Sequence, residues 1–228
     1  MSSPFTVMGI SMLTPEKIQE LQILIDQRVE EYFRKLFFPD FKTYIFPGGK
    51  MPKRATDGAI GYDFFLRALV SPFDMESNKI LRKNIFDFNK LPKDPFLESR
   101  VTSYPGDNGI ELAYKLGPGE SILGGVGCVV EMNFPTFHWI APRSGLASKW
   151  QITVTNAPGT VDPDYRGEAG VLIRNINNTE SILLTRHMKI AQGIFSLAVI
   201  PNLILVETYE ELSKTVRSAQ GFGSTGIR

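Results

Sequence analysis

Short apolar runs separated by turn-forming residues make up most of the chain from about residue 60 onward. Glycine, proline and asparagine punctuate these runs, which is typical of strands joined by tight turns. The pattern predicts strands at 60–69, 110–116, 126–132, 136–141, 151–155, 169–176, 180–184, 190–199 and 203–207. So many short strands with turn signals between them predict an all-β barrel or sandwich.

A helical periodicity precedes the strands, over residues 14–38. Thr14 suits the N-cap and Pro15 the first turn of this helix. Apolar residues recur at helical spacing, at Ile18, Leu21, Leu24, Ile25, Tyr32, Phe33 and Leu36. An apolar stripe of this width needs burial, so we expect the helix to pack on the strand domain or on a neighbouring subunit.

A polar stretch at 71–108 interrupts the strand pattern and is rich in Pro, Asp, Asn and Lys. We interpret it as an insert with a short helix near 76–88, peripheral to any active site. The predicted organisation is a helical extension at 1–50, a β domain at 51–212 with its insert at about 71–109, and a glycine-rich tail at 213–228.

Charge and residue counts exclude several kinds of protein. The formal net charge is +1, so the chain has no basic field for direct nucleic-acid binding. Cys128 is the only cysteine, which excludes an intrachain disulfide and predicts an intracellular, cytoplasmic protein. With His138 and His187 as the only histidines, a divalent metal would need oxygen ligands. No apolar run has the length of a membrane span, and no signal-peptide pattern is present.

The segment 217–228 is glycine-rich and carries groups that bind nucleotides. Glycine allows close approach of the backbone to a ligand. Ser224 and Thr225 can donate to phosphate oxygens, and Arg217 offers a fork that suits a phosphate. Phe222 offers a flat face to a base. Taken alone, the segment also fits a disordered terminus.

A second segment, 156–167, has turn signals on both sides of the β-prone pair Thr160-Val161, and predicts a hairpin-like loop. Asp162 and Asp164 stand two residues apart and would share a face on an extended chain. One such carboxylate can bind a water and take its proton, and Tyr165 can pack against a sugar. A polar turn with capping aspartates explains the same residues equally well.

Three further segments each contribute a polar group. Arg143-Ser144-Gly145 has the form of an anion-binding turn that opens into a short helix. Asp63 follows a glycine turn and precedes an apolar run, and Gln192 is an amide within a strand. Each segment also has an ordinary structural explanation, as a helix cap or as part of a strand.

In this order the five segments resemble the five motifs of the trimeric dUTP pyrophosphatase (dUTPase) family. The matches are 61–63 for motif one, 142–145 for motif two, 156–167 for motif three, 189–192 for motif four and 217–226 for motif five. Motifs two, three and five are the specific ones. The resemblance covers roughly 52–70 and 110–228, and it leaves out 1–50 and 71–109.

The resemblance implies a dUTPase-like distorted jelly-roll β-barrel, assembled as a homotrimer with shared active sites. In the family, motifs one, two and four come from one subunit, motif three from a second and the tail from a third. The reaction converts dUTP and water to dUMP and pyrophosphate, with Mg²⁺ on the triphosphate. It limits uracil incorporation into DNA and supplies dUMP for thymidylate synthesis.

The resemblance also implies which residues act in the reaction. Asp162 takes the place of the residue that orients the attacking water and touches the sugar 3′-hydroxyl, and Gln192 holds the same water. Asp63 fits an outer-shell partner of Mg²⁺ that acts through water. The phosphates would contact Arg143, Ser144 and Gly145, with Arg217, Ser224 and Thr225 at the γ end.

Recognition of the nucleoside is implied in the same way. Asn156 and the backbone of Gly159, Thr160 and Val161 would read the uracil edge. Tyr165 would pack under the deoxyribose and leave no room for a 2′-hydroxyl. Phe222 and Gly223 belong to the tail that closes over the base.

The chain departs from the usual family motifs at a few positions. Ser218 and Gln220 stand in place of two glycines of motif five. Motif four begins with Lys189 rather than arginine, which keeps the charge and loses the bidentate fork. Motif one has two phenylalanines, at 64 and 65, where an aliphatic residue is common. None of these changes removes a group that the reaction requires.

Two other functions use related scaffolds. A dCTP deaminase would need a catalytic Glu where this chain has Leu172 and Ile173, and Glu168 comes too early in the strand. A regulatory module would use the N-terminal helix and the insert to bind a protein partner. The presence of Asp162, Gln192 and Arg217 argues that catalysis is retained even in such a module.

Overall fold

The computed structural model describes residues 14–72, 81–107, 109–216 and 218–219. The chain divides into one unit that ends at residue 197 and another that begins at residue 198. Three helices of the first unit are α1 (Pro15–Phe37), α2 (Pro95–Glu98) and α3 (Ser144–Trp150). None of the helices in the described ranges has the length and apolar character needed to cross a membrane.

Fifteen strands are present in the described part of the first unit. In chain order, β1–β15 span Thr43–Ile45, Lys53–Arg54, Tyr62–Phe65, Ala68–Val70, Asn84–Phe86, Val101–Gly106, Gly109–Leu116, Ser121–Gly125, Cys128–Val130, Thr136–Ala141, Ile152–Val154, Gly159–Val161, Gly170–Asn175, Ile182–Thr185 and Lys189–Leu197.

The strands form antiparallel sheets that follow one another around a common core. Two sheets have five strands each, in the orders β12-β10-β15-β3-β2 and β11-β13-β8-β4-β5. A three-stranded sheet has the order β14-β7-β6, and β1 pairs with β9. The all-β fold predicted from the short apolar runs is confirmed, and it is consistent with the jelly roll that the resemblance implies.

One apolar cluster joins the three larger sheets. Phe64 on β3, Val171 on β13 and Leu184 on β14 belong to it, and none is more than 1% exposed. Complete burial of a side chain of this size contributes roughly 1.5–3 kcal/mol. The core therefore fixes the relative position of the strands that carry the site residues.

Helix α1 begins and ends close to its predicted limits. The Thr14 hydroxyl oxygen accepts a hydrogen bond from the Lys17 N–H at 3.3 Å, which caps the first turn. No residue of α1 is buried within the chain, and Phe33 remains 52% exposed. The expectation that the apolar stripe packs on its own strand domain is therefore wrong, and packing on a neighbouring subunit stays a prediction.

The stretch at 71–108 is part of the sheets and is not an added loop. Strand β5 pairs with β4, and β6 pairs with β7 along its whole length. Phe86 and Phe88 belong to the core cluster. The helix predicted near 76–88 is wrong in its described part, where β5 lies, and the short helix of this stretch is α2. Polar residues on both sides of these phenylalanines concealed their burial in the sequence pattern.

The second unit contains a short 3₁₀ helix, Tyr209–Glu211, whose first turn is closed by a capping box between Thr208 and Glu211. Residues 203–207 form no strand, so that prediction is wrong. The run is apolar and β-prone, but an apolar run becomes a strand only where a partner strand is available. The unit begins at residue 198, ahead of the boundary predicted at 212.

His138 lies on β10 inside an aromatic environment. Its ring is 5.5 Å from that of Phe64 and 5.1 Å from that of Phe195, centroid to centroid, and the residue is 2% exposed. Burial disfavours the charged imidazolium and lowers the pKa of His138 to about 4. The side chain is therefore neutral and serves as packing at physiological pH.

We expect this histidine to make the protein acid-sensitive. The pKa of His138 is lower in the folded state than the ordinary 6.5. The contribution of the neutral ring to the unfolding free energy is therefore complete above pH 6.5 and is lost as the pH falls towards 4. The expected loss of unfolding free energy over this interval is about 3 kcal/mol. Urea unfolding between pH 7 and pH 4, at one protein concentration, measures it.

The control is His138→Leu, which removes the titrating ring from the same site. The unfolding free energy of His138→Leu should depend less steeply on pH between 6.5 and 4. Part of the pH dependence should remain, because burial also lowers the pKa of His187. Equal slopes in the two proteins would show that His138 does not cause the acid sensitivity.

Candidate functional site

Three adjacent strands bring together site residues that are distant in sequence. Strand β15 pairs with β10 on one side and with β3 on the other. In this register Gln192 lies opposite Ala141 on β10 and opposite Asp63 on β3. Directly paired residues point to the same face of a sheet, and Arg143 comes just after the end of β10. The pairing therefore brings residues of three predicted motifs together at one end of these strands.

Asp63 is the centre of these contacts. Its Oδ1 accepts hydrogen bonds from Arg143 Nε at 3.0 Å and from Gln192 Nε2 at 3.3 Å. Its Oδ2 lies 2.8 Å from Lys189 Nζ. We refer to Asp63, Arg143, Lys189 and Gln192 as the Asp63 cluster. Lys189 was predicted only as the first residue of motif four and not as a site residue.

The Asp63 cluster keeps its carboxylate ionised. Burial alone would raise the pKa of Asp63, because a charge is poorly solvated there. The contacts with Lys189 and Gln192 and the charge of Arg143 outweigh burial and hold the pKa of Asp63 below its ordinary value. The buried carboxylate is therefore a fixed negative charge among cationic side chains that remain partly exposed.

A β-bulge gives Asp63 two partners from one strand. Lys189 pairs with Phe65 and Ala191 pairs with Phe64, so Ile190 is an extra residue on β15. In a regular strand, residues 189 and 192 would point to opposite faces, because side chains alternate. The extra residue restores a common face, so that both Lys189 and Gln192 reach Asp63.

Two glycines of the motifs have different surroundings. A Cβ at Gly61 would lie 3.2 Å from the side chain of Gln192, so this glycine leaves room for that amide. A Cβ at Gly145 would meet nothing within 4 Å. Packing inside the chain therefore does not require Gly145. Ser144 and Gly145 are both exposed at the start of α3, as the sequence predicted.

A cavity of about 380 Å³ lies beside β12. We call it the β12 cavity. Six predicted site residues line it, namely Asn156, Gly159, Thr160, Val161, Asp162 and Tyr165. Its other walls are Pro72, Arg82, Leu123, Ile140, Ala169, Gly170 and Leu172. The lining combines apolar side chains such as Ile140 and Leu172 with polar ones such as Asn156, Asp162 and Arg82.

Strand β12 is the edge strand of its sheet. It pairs with β10, with Gly159 opposite Ile140 and Val161 opposite His138. The turn signals had predicted a hairpin-like loop at 156–167. The loop is not a self-contained hairpin, because its strand pairs with β10. An edge strand pairs through only one of its sides, so alternate backbone N–H and C=O groups can meet a ligand.

The two aspartates of this loop separate. The Tyr165 N–H donates to the Asp162 carbonyl oxygen at 3.2 Å, so the chain turns here and is not extended. Asp162 lines the β12 cavity and Asp164 does not. The expectation that both carboxylates share a face is wrong, because it assumed an extended chain.

Tyr165 is held through its hydroxyl group. The hydroxyl donates to the Glu168 carbonyl oxygen at 3.0 Å and accepts from Arg82 Nη2 at 3.3 Å. Arg82 and Pro72 come from the stretch interpreted as a peripheral insert, yet both line the β12 cavity. Sequence reasoning missed them, because neither belongs to a motif or to an apolar pattern.

Glu168 is committed to a buried ion pair. Its Oε1 accepts from Arg67 Nε at 2.7 Å and its Oε2 from Arg67 Nη2 at 2.8 Å. Glu168 is 0% exposed and Arg67 is 4% exposed. Ile173 is buried in the core, and Leu172 lines the β12 cavity. The deaminase alternative therefore has no free glutamate at the position it requires.

No member of the Asp63 cluster lines the β12 cavity of the same chain. The remaining predicted residues are Arg217, Phe222, Gly223, Ser224 and Thr225, and they lie outside the described residues.

Comparison with known proteins gives a consistent family. A dUTPase family profile matches residues 111–226. A deoxyuridine 5′-triphosphate nucleotidohydrolase of Gloeothece citriformis is 44% identical over 142 residues, which cover 60% of this chain and 94% of that protein. A nucleotidohydrolase of the same name from Nautilia profundicola is 49% identical over 109 residues, covering 48% of this chain and 74% of the relative.

Solved structures share the fold at low sequence identity. The dUTPase of Staphylococcus bacteriophage 80alpha, solved with dUPNHPP, has a TM-score of 0.56 and 18% identity, covering 82% of this chain and 99% of that one. A point mutant of the dUTPase from phage phi11 of S. aureus, described with a structural Mg(II) ion, has a TM-score of 0.50 and 16% identity, covering 75% and 99%. With most of its sequence matched and nearly the whole of a relative covered, this chain belongs to the dUTPase family.

Proposed function

We propose that this protein hydrolyses dUTP to dUMP and pyrophosphate, and so limits uracil incorporation into DNA and supplies dUMP for thymidylate synthesis. The observation that carries the proposal is the β12 cavity, where Asp162 lies beside the backbone and amide groups of a nucleoside site. Family membership supplies the substrate. The cytoplasmic location stays a prediction.

Edge strand β12 would recognise the base. Its backbone groups can pair with the uracil edge, as a neighbouring strand would. The Asn156 side chain adds both a donor and an acceptor, which a uracil edge can satisfy. A Cβ at Gly159 would lie 3.0 Å from Asn156 Nδ2, so glycine keeps this amide in place. The resemblance further implies that this cleft would exclude a 5-methyl group.

Asp162 would act as the general base. It takes a proton from a water whose oxygen attacks the α-phosphorus, and the bond from that phosphorus to the bridging oxygen breaks. Pyrophosphate leaves with the bonding electron pair. Gln192 would hold the same water, and Asp162 is exposed at the β12 cavity, where a water has access.

The triphosphate would lie against the cationic face of the Asp63 cluster. Arg143 presents a planar fork that suits phosphate oxygens, and it is partly exposed even while its Nε is bound to Asp63. Ser144 and Gly145 would add donors at the start of α3. From the tail, Arg217, Ser224 and Thr225 would contact the γ-phosphate, and Phe222 with Gly223 would cover the base.

A magnesium ion fits this arrangement as a partner of the substrate phosphates. Within the described ranges, no group of three or more His, Cys, Asp or Glu side chains is placed to hold a metal. Both oxygens of Asp63 already contact Arg143, Gln192 or Lys189, so its donor set suits a link through water. When bound, Mg²⁺ would offset negative charge on the phosphate oxygens.

The test of the activity is pyrophosphate release with dUTP, dCTP, dTTP and UTP under identical conditions. We expect rapid release from dUTP alone, in a reaction that requires Mg²⁺. Formation of ammonia from dCTP would support a deaminase, and neither pyrophosphate nor ammonia from any of the four would leave only the regulatory alternative.

We further propose a homotrimer with shared sites. The support is that no member of the Asp63 cluster lines the β12 cavity of the same chain, although the reaction needs both. We expect that mixing Asp162→Asn subunits with subunits truncated after Lys214 restores activity. Each parent is inactive, but some mixed trimers then combine an intact Asp162 and an intact tail from different chains.

Subunit exchange must be demonstrated in the same experiment, for example with two distinguishable affinity tags. Recovered activity should appear only after exchange and should follow the fraction of mixed trimers. Mixed trimers without recovered activity would place the base and the tail of each site on the same chain.

A further inference from the structure

Arg82 connects the stretch 71–108 to the β12 cavity. We infer that Arg82 is a positioning residue that orients Tyr165 and thereby sets discrimination between deoxyribose and ribose. The inference rests on the proposed function and adds to it a residue outside the family motifs. Its basis is a set of contacts among Arg82, Tyr165 and Glu168.

Arg82 donates through its backbone and its side chain. Its backbone N–H contacts Glu168 Oε2 at 3.2 Å. Its Nε contacts the Glu168 carbonyl oxygen at 3.1 Å, and its Nη2 contacts the Tyr165 hydroxyl oxygen at 3.3 Å. The same Glu168 carbonyl accepts from the Tyr165 hydroxyl. The three residues thus form a closed set in which each one limits the movement of the other two.

Glu168, which binds both Arg82 and Tyr165, is itself held in the buried interior. The Glu168 carboxylate is fully buried, and it also accepts hydrogen bonds from Arg67 and from the Gly127 N–H at 2.8 Å. Arg67 Nη1 in turn donates to the Asn84 side chain at 2.7 Å, which lies close to Arg82 in the chain. Arg82 is therefore attached to the rigid interior at its backbone and at its side chain.

Tyr165 needs such support because packing holds it only in part. It is 37% exposed, so its ring is not enclosed by the core. A Cβ at Gly167 would lie 2.5 Å from the Tyr165 hydroxyl oxygen, so glycine makes room for the phenol end. The direction of the ring then depends on the two hydrogen bonds of its hydroxyl group.

Arginine suits this task better than another cation. Its planar guanidinium places Nε and Nη2 at a fixed spacing, so one side chain binds a carbonyl and a phenol together. Methionine has a similar apolar stem and no donors. Arg82→Met therefore removes the two side-chain contacts and keeps the backbone contact with Glu168.

The experiment compares kcat and KM for dUTP and UTP in the unmodified protein, Arg82→Met, Tyr165→Phe and the double variant. We expect Arg82→Met to raise the UTP-to-dUTP ratio of kcat/KM about tenfold, the scale on which small changes in a binding pocket act. KM for dUTP should rise severalfold while kcat stays within about threefold, because orientation of the sugar is affected more than the chemistry.

The double variant separates positioning from general loosening. Since Arg82 acts through the Tyr165 hydroxyl, Tyr165→Phe should itself raise the ratio, and adding Arg82→Met should change it less than about twofold further. Lys90 is a basic, exposed residue of the same stretch. Lys90→Met is the control and should leave the UTP-to-dUTP ratio of kcat/KM unchanged. The inference would be overturned if the effects of Arg82→Met and Tyr165→Phe on the UTP-to-dUTP ratio multiplied independently in the double variant. An unchanged ratio in either single variant would also overturn it.

Tyr165→Phe also covers the case in which Arg82→Met does not fold, since it keeps every contact of Arg82 with Glu168. An inactive unmodified protein would overturn the proposed function and this inference with it. An active protein whose ratio is insensitive to both Arg82→Met and Tyr165→Phe would overturn the inference alone.

Discussion

Replacing Asp162 with asparagine is expected to lower turnover of dUTP by about 10²–10⁴-fold, the usual contribution of a general base. The amide has nearly the same shape as the carboxylate but cannot take the proton of the attacking water. Because Asp162 is exposed and lies outside the core cluster, we expect folding and assembly to be unaffected. Nucleotide affinity should stay within about tenfold, since the base-recognition groups are intact.

Asp164→Asn is the matched control. It makes the same chemical change two residues further along the loop, at an exposed aspartate that does not line the β12 cavity. Its turnover should remain close to that of the unmodified protein. Steady-state rates of pyrophosphate release, together with calorimetric titration of a non-hydrolysable dUTP analogue, separate chemistry from binding. If Asp162→Asn kept more than half of the original turnover number, another group would have to be the base.

Removal of Glu168 is expected to cause the largest loss of stability. Glu168→Ala leaves the Arg67 guanidinium, which is 4% exposed, without its counter-ion. Breaking a buried pair from one side typically costs about 3–5 kcal/mol, because the remaining charge stays buried. The substitution also leaves the Gly127 and Arg82 backbone N–H groups without their acceptor. Guanidinium unfolding at a fixed protein concentration measures the difference.

Glu120→Ala provides the comparison, because it breaks a second arginine–carboxylate pair at the surface. Glu120 lies 2.6 Å from Arg100, and their side chains are 31% and 29% exposed. Solvent screens such a pair, and the Gly117 N–H also loses its acceptor, so we expect a loss of about 1–2 kcal/mol, smaller than that of Glu168→Ala. Adding Arg67→Met to Glu168→Ala should recover part of the stability. Equal losses in the two single variants would show that burial of the Arg67–Glu168 pair is energetically unimportant.

Local sequence signals predicted much of the fold, because they reflect local physical causes. The helix 14–38 was predicted from Thr14, Pro15 and its apolar spacing, and α1 has almost the same limits. Strand β10 has the predicted limits, 136–141, because its apolar residues are flanked by turn-forming ones. Strands β5 and β6 were missed, since their stability comes from pairing with β4 and β7 and not from their own composition.

At the candidate site, too, local sequence signals predicted some residues, and contacts between distant parts of the chain determine the rest. Asp63, Arg143 and Gln192 were recognised from motifs, and the strand register explains why they meet. The role of Arg82 depends on contacts across 83 to 86 residues of sequence, with Tyr165 and Glu168. No pattern within a short window encodes such a contact. Helix α1 is the opposite case, because its limits were predicted correctly but its predicted packing on the strand domain is not observed.

The β-bulge in β15 has a consequence for how this family can vary in length. Ile190 is 2% exposed and belongs to the core, and it is also the extra residue that turns Lys189 towards Asp63. A deletion within this strand would therefore do more than leave a void, because it would reverse the facing of one partner of the carboxylate. Insertions and deletions should be tolerated in the connections of this barrel but selected against between Lys189 and Gln192. Loss of a single codon there would turn Lys189 away from Asp63 and is expected to inactivate the enzyme.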